Sequence, residues 1–191
     1  MDYPDTYKAQ LVYAIQSIDL NKVSQAIQVF KSARAHGHRI FVCGADGIDF
    51  MASASLCDLV SGASFNQSSR FRILALSNEL PKISHKSDDH STDRVFVEQL
   101  KNFAEPEDVV MGICSSGNSR TVVSAIEYAS WIGCRTIALT GRDGGKLARM
   151  AELNIHVPVG ELSSIGDAHV IICHIIGYYF VDFEKAHEQR V

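Results

Sequence analysis

Three serines and an asparagine cluster around one glycine at Ser115, Ser116, Gly117, Asn118 and Ser119, between an apolar run and a helix-forming stretch. At a helix start the first N–H groups have no partner within the helix, and the positive end of the helix dipole lies there. Such a place holds an anion. Capping alone would need a single Ser or Asn. The crowding of hydroxyls predicts a phosphate site, and the lack of a G-x-x-x-x-G-K-[ST] pattern points to a monophosphate rather than a nucleoside triphosphate. Two further loops have the composition of ligand loops. In Gly44-Ala45-Asp46-Gly47-Ile48-Asp49 the two acids sit at a helix start, where the dipole favours them but where they would repel a phosphate. Their role is open between plain first-turn acids and the binding of sugar hydroxyls or a metal. In Thr140-Gly141-Arg142-Asp143-Gly144-Gly145, Arg142 is expected to hold the loop by pairing with Asp143 rather than to touch a ligand.

Each loop needs a strand to deliver it. Apolar runs precede all three, at Arg39–Cys43, Asp108–Ile113 and Cys134–Leu139, and two more lie at Phe71–Ser77 and Asn154–Pro158. These runs are apolar on both faces and alternate with helical patterns, the mark of a parallel sheet covered on both sides. Leu11, Ile15 and Ile18, then Val23, Ala26, Ile27 and Phe30, predict two N-terminal helices with a stop at Gly37. Further helices are expected over Thr92–Phe103, from Ser119 to about Trp131, briefly after Gly145, and from Ser163 to about Glu188. In an open sheet of this kind ligands bind outside the carboxyl ends of the strands. Ser61–Ser69 and Lys82–Ser91 are expected as loops, and no long linker divides the chain.

Composition narrows the classes. The chain has 191 residues, 18 Lys+Arg against 22 Asp+Glu, and a formal net charge of -4. A chain of this length buries a core without metal or disulfide staples. Its mild acidity argues against a general nucleic-acid or anionic-membrane binder. The five cysteines are scattered and form no C-x-x-C, as expected of reduced thiols in the cytoplasm. The start Met1-Asp2-Tyr3-Pro4-Asp5 lacks the features of a signal peptide, and the greasy run Val170–Phe180, broken by His174 and Gly177, is expected to be too short to span a bilayer. A cytoplasmic protein without membrane or direct nucleic-acid contact is predicted.

Taken together, Ser116-Gly117-Asn118-Ser119, Thr140-Gly141-Arg142-Asp143-Gly144-Gly145 and Asp167-Ala168-His169 with His174 resemble the sugar isomerase (SIS) domain of the phosphoheptose isomerase type. The resemblance covers nearly the whole chain. It implies an α/β fold, a three-layer α/β/α sandwich around a flavodoxin-like five-stranded parallel sheet, with two N-terminal helices and a long C-terminal helix. The expected organisation is a single SIS domain over 1–191, in which the helical pair 1–37 serves oligomerisation and 38–191 forms the α/β core and C-terminal helix. A homotetramer with sites between subunits is implied, as is a sugar phosphate ligand, a heptose phosphate or a relative. Isomerase members convert sedoheptulose 7-phosphate, often with zinc, whereas another branch binds a replication initiator protein.

Carried over by position, the phosphate and sugar site comprises Ser115, Ser116, Gly117, Asn118, Ser119, Asp89 and Gly44, with Cys114 where the family has a hydroxyl and Asp88 where it has Asn. The family's first loop reads Gly-Asn-Gly-Gly-Ser and leads into a helix with a His and, one turn on, a Glu. Here Ala45, Asp46 and Ile48 replace the Asn, the second Gly and the Ser, and Ala54 and Asp58 replace the His and Glu. On the terminal helix the family's Asp, Gln and His correspond to Ser163, Gly166 and His174. Asp58 and His174 are the candidate catalytic acid–base pair, since an aldose–ketose isomerase must move a proton between neighbouring carbons. No metal ligand set is assigned: with three of four ligand positions changed, zinc is left open. The expectation is a sugar-phosphate-binding SIS protein with a degenerate catalytic and metal site. An active divergent phosphoheptose isomerase and a non-catalytic interaction protein are the alternatives.

Overall fold

Asp2 and Asp19 begin the first two helices by accepting backbone N–H groups of the first turn, and Pro4 suits the fixed φ of a helix start. Helix α1 spans Tyr3–Gln16 and α2 spans Leu20–His36, where Gly37 in the left-handed region closes the last turn. The computed structural model describes residues 2–44, 47–65, 67–76 and 91–183. Beyond the two helices the order is β1 (Arg39–Gly44), α3 (Gly47–Ala63), β2 (Arg72–Ala75), α4 (Val95–Phe103), β3 (Val109–Cys114), α5 (Arg120–Trp131), β4 (Arg135–Gly141), α6 (Leu147–Met150), β5 (Leu153–Val157) and α7 (Leu162–Tyr178). A single 3-10 turn, Ser91–Arg94, precedes α4.

The strands form one five-stranded parallel sheet in the order β2-β1-β3-β4-β5. Strand β3 is buried along its whole length, as its uninterrupted apolar sequence requires, while the edge strand β2 alternates in exposure. Val109, Met111 and Ile113 face a core shared with α2, α3 and α7, and Val110 and Cys114 face a second core built by α4, α5 and α6. The alternating direction of strand side chains thus serves both outer layers at once. The expected three-layer sandwich with two N-terminal helices and a long C-terminal helix is the observed fold.

Some boundaries differ from expectation. Strand β2 pairs with β1 over Arg72–Ala75, Leu76 N–H still donates to Val42 O at 2.8 Å, and Ser77 lies outside the described residues. Strand β4 runs on through Thr140 and Gly141, so the third loop starts at Arg142. The terminal helix gives way to a wider π-type turn over Tyr179–Phe183. The greasy segment is also longer than Val170–Phe180: Leu162–Asp182 makes 21 helical residues with an 18-residue window of mean hydropathy 1.3, enough by length and composition to cross a membrane. Its Ile165, Ala168, Ile172 and Ile176 are instead fully buried in the core. Asp88, Asp89, Ala45, Asp46 and the end of the last helix toward Glu188 lie outside the described residues.

Candidate functional site

The chain reverses its winding between β1 and β3, and a crevice opens there at the carboxyl ends of the strands. Gly44 ends β1 and Cys114 ends β3, so the first two loops meet at this point. Gly44 lies beneath α3: a Cβ there would fall 2.1 Å from the backbone oxygen of Asp49. Its lack of a side chain lets the first turn of α3 fold back over the strand end.

The serine loop leaves β3 through a turn in which Gly117 N–H donates to Cys114 O at 2.9 Å. Ser116 Oγ accepts the Asn118 N–H at 3.3 Å, and the Cys114 sulfur receives the Ser119 N–H at 3.4 Å. Ser119 stands at the N-cap of α5 but makes no side-chain cap bond. Its hydroxyl pairs with Thr121 Oγ1 at 2.9 Å instead. The first-turn N–H groups of α5 therefore keep their capacity for a ligand. Ser116 and Ser119 are half-buried and Asn118 is exposed, while Ser115 is buried.

Gly117 has φ +66, and a Cβ on it would lie 2.1 Å from Gly144 O; one on Gly145 would lie 2.5 Å from Gly117 O. The third loop thus rests backbone-to-backbone on the serine loop. Gly117 O accepts Leu147 N–H at 3.0 Å and Asn118 Oδ1 accepts Lys146 N–H at 3.1 Å. The expected Arg142–Asp143 pair does not form among the described residues. Asp143 takes the Gly145 N–H at 3.2 Å, and Arg142, exposed at φ +53, is held through its backbone N–H to Val159 O. The turn conformation aims the two side chains apart in function: one closes the loop and the other meets solvent.

Asp49 is the least expected member of the site. Its Oδ2 accepts the Ser115 N–H and its Oδ1 the Ser115 hydroxyl, both at 2.8 Å, and His169 Nδ1 approaches Oδ1 at 3.2 Å. The repulsion expected between this acid and a phosphate is thereby turned inward, onto three donors. Burial alone would raise the Asp49 carboxyl, but hydrogen bonds from His169 and Ser115 outweigh it and hold the group below the ordinary aspartate range. No local signal could have shown this, because both partners arrive from distant elements.

Among the described residues no hydrogen bond links Asp58 to His174, the candidate catalytic pair. His174, on α7, shares a hydrogen bond with Ser55 at 3.0 Å through Nε2 and meets the Tyr178 ring edge-on. Asp58 lies one turn beyond Ser55 on α3 and is exposed. Ser55 is a second residue that sequence reasoning passed over. Among the described residues the implied ligand positions do not fit a zinc ion. A Cβ on Gly166 would lie 2.2 Å from Ile48 Cγ2, so the place of one implied ligand is filled by an apolar side chain. Ala54 carries no donor, and among the described residues no three His, Cys, Asp or Glu converge as a metal site would need.

The SIS domain model matches residues 3–141. A probable phosphoheptose isomerase of Thermoplasma volcanium is 36% identical over 175 residues, 87% of this chain and 87% of that protein. The chain belongs to the SIS domain family. The phosphoheptose isomerase of Aliarcobacter butzleri is 32% identical over 169 residues, covering 88% of this chain and 86% of its own. Among solved structures, a phosphoheptose isomerase from Neisseria gonorrhoeae superposes with a TM-score of 0.81 at 24% identity, over 92% of this chain and 95% of that one. This SIS domain therefore is similar in sequence to phosphoheptose isomerases and has their fold.

Proposed function

We propose that this SIS domain binds a sugar phosphate, with the phosphate on Ser116, Ser119 and the first turn of α5, and that its isomerase chemistry is degenerate. The observation that carries the reading is the uncapped start of α5 at the sheet's switch point: Ser119 occupies the N-cap without capping. The phosphoheptose isomerases among its relatives supply the substrate class. The hydrogen bond that engages His174 with Ser55, and the filling of the Gly166 notch by Ile48, support loss of chemistry. The reading includes a single domain assembled as a homotetramer, supported by the exposed Tyr3, Val12 and Tyr13 of α1. Five free, buried cysteines support a reducing compartment such as the cytoplasm.

Calorimetry with sedoheptulose 7-phosphate tests the binding. Ser116→Ala and Ser119→Ala should each raise Kd by about tenfold, the worth of one hydrogen bond to a charged group. Unchanged affinity in both variants would sink the reading. A coupled isomerase assay, with and without zinc, should show no turnover. The identity to proteins named as isomerases favours a second reading, an active divergent enzyme using Asp58 and His174. Turnover that Asp58→Asn abolishes would establish it.

A further inference from the structure

Asp49 is only 5% exposed and His169 is fully buried. A carboxylate so placed is costly unless its oxygens are satisfied, and here donors come from two different elements. Ser115 supplies its N–H and its hydroxyl from the loop after β3, and His169 reaches in from α7. An ionised carboxylate only accepts, so His169 Nδ1 carries the proton. Its Nε2 has no partner among the described residues, which leaves Asp49 as its polar contact. The arrangement has a consequence for the ligand loop. Both donors of Ser115 face inward and are spent, so the loop offers outward the half-buried hydroxyls of Ser116 and Ser119 and the start of α5.

We propose that Asp49 is the positioning residue of the phosphate site: by drawing the N–H and hydroxyl of Ser115 against the first turn of α3, itself tied to α7 through His169, it fixes the loop in its anion-accepting shape without touching the ligand. The inference rests on the sugar-phosphate reading above. It assigns Ser115 an indirect part and leaves Ser116 and Ser119 as the direct contacts. It also links the ligand loop to the helix that carries His174, since His169 and His174 belong to the same helix.

The test is a double-mutant cycle on Kd for sedoheptulose 7-phosphate and for inorganic phosphate, run well below each variant's melting midpoint. Asp49→Asn turns a donating amide toward Ser115 and should raise Kd by about tenfold or more. Ser115→Ala should raise it less, and the double variant should bind no worse than Asp49→Asn, because both changes break one lock. A lowered midpoint with unchanged Kd in Asp49→Asn would make the residue merely structural and overturn the proposal. Losses that multiply in the double variant would overturn it as well, since Ser115 would then meet the ligand independently. If wild-type protein binds neither probe, the sugar-phosphate reading itself fails and the positioning role falls with it. Should Asp49→Asn fail to fold, amide exchange in the wild type decides alongside Ser115→Ala. A locked Ser115 N–H exchanges far more slowly than that of Thr121, and equal rates would refute the lock.

Discussion

Asp49 shows how a residue's chemistry depends on partners that arrive from elsewhere. Its folded carboxyl lies below the ordinary aspartate value of 3.8, so the stability it contributes is fully present above that value and is lost as pH falls through the folded one. Melting midpoints of wild type and Asp49→Asn, compared from neutral pH down to about 3, should therefore converge on acidification. A gap that stays constant would show that the carboxyl does not titrate with folding. The serine loop was legible because its chemistry is local: five adjacent residues suffice to suggest an anion site. The lock beneath it was not, since Ser115 lies 66 positions from Asp49 and His169 lies 120 away. A separation of 119 positions likewise hid Ser55 as the partner of His174, whereas Asp58 stands where the family resemblance implies a Glu.

At the scale of elements, α3 and α7 meet through notches that glycines leave open. Ile48 fills the one at Gly166, and Leu59 fills the one at Gly177, where a Cβ would fall 2.7 Å from the Leu59 side chain. Between these notches run the Asp49–His169 and Ser55–His174 hydrogen bonds. The two helices are thus held by direct contact where the family resemblance would place metal ligands. Gly166→Gln should destabilise the protein by about 1–3 kcal/mol through overpacking, and Ile48→Ser in the same chain should recover part of that loss. Denaturant unfolding measures both; a neutral Gly166→Gln would show that Ile48 can vacate the notch freely. Strands and helices were legible from apolar runs and helical spacing, because these report local burial. Their ends were less so: the sheet, not the turn residues, carries β4 into Thr140 and Gly141.

At the scale of the whole molecule, exposed apolar side chains are spread over several elements, Trp131 of α5 and Met51 of α3 among them. Tyr3 is 76% exposed, Tyr13 62% and Val12 45%, all on α1, which docks to α7 through the Tyr7 hydroxyl donating to Asp167. Exposed aromatics of this kind are covered when the helix that carries them packs between subunits. If α1 lies in the proposed tetramer, Tyr13→Glu should shift the protein to smaller species in light scattering while leaving the melting of the isolated subunit nearly unchanged. A persistent tetramer would move the interface elsewhere. The backbone contact of Gly117 with Gly144 and Gly145 reaches beyond geometry. A ligand loop already seated on its neighbour surrenders little conformational freedom when an anion arrives, so the free energy of its contacts goes into affinity rather than into ordering the chain.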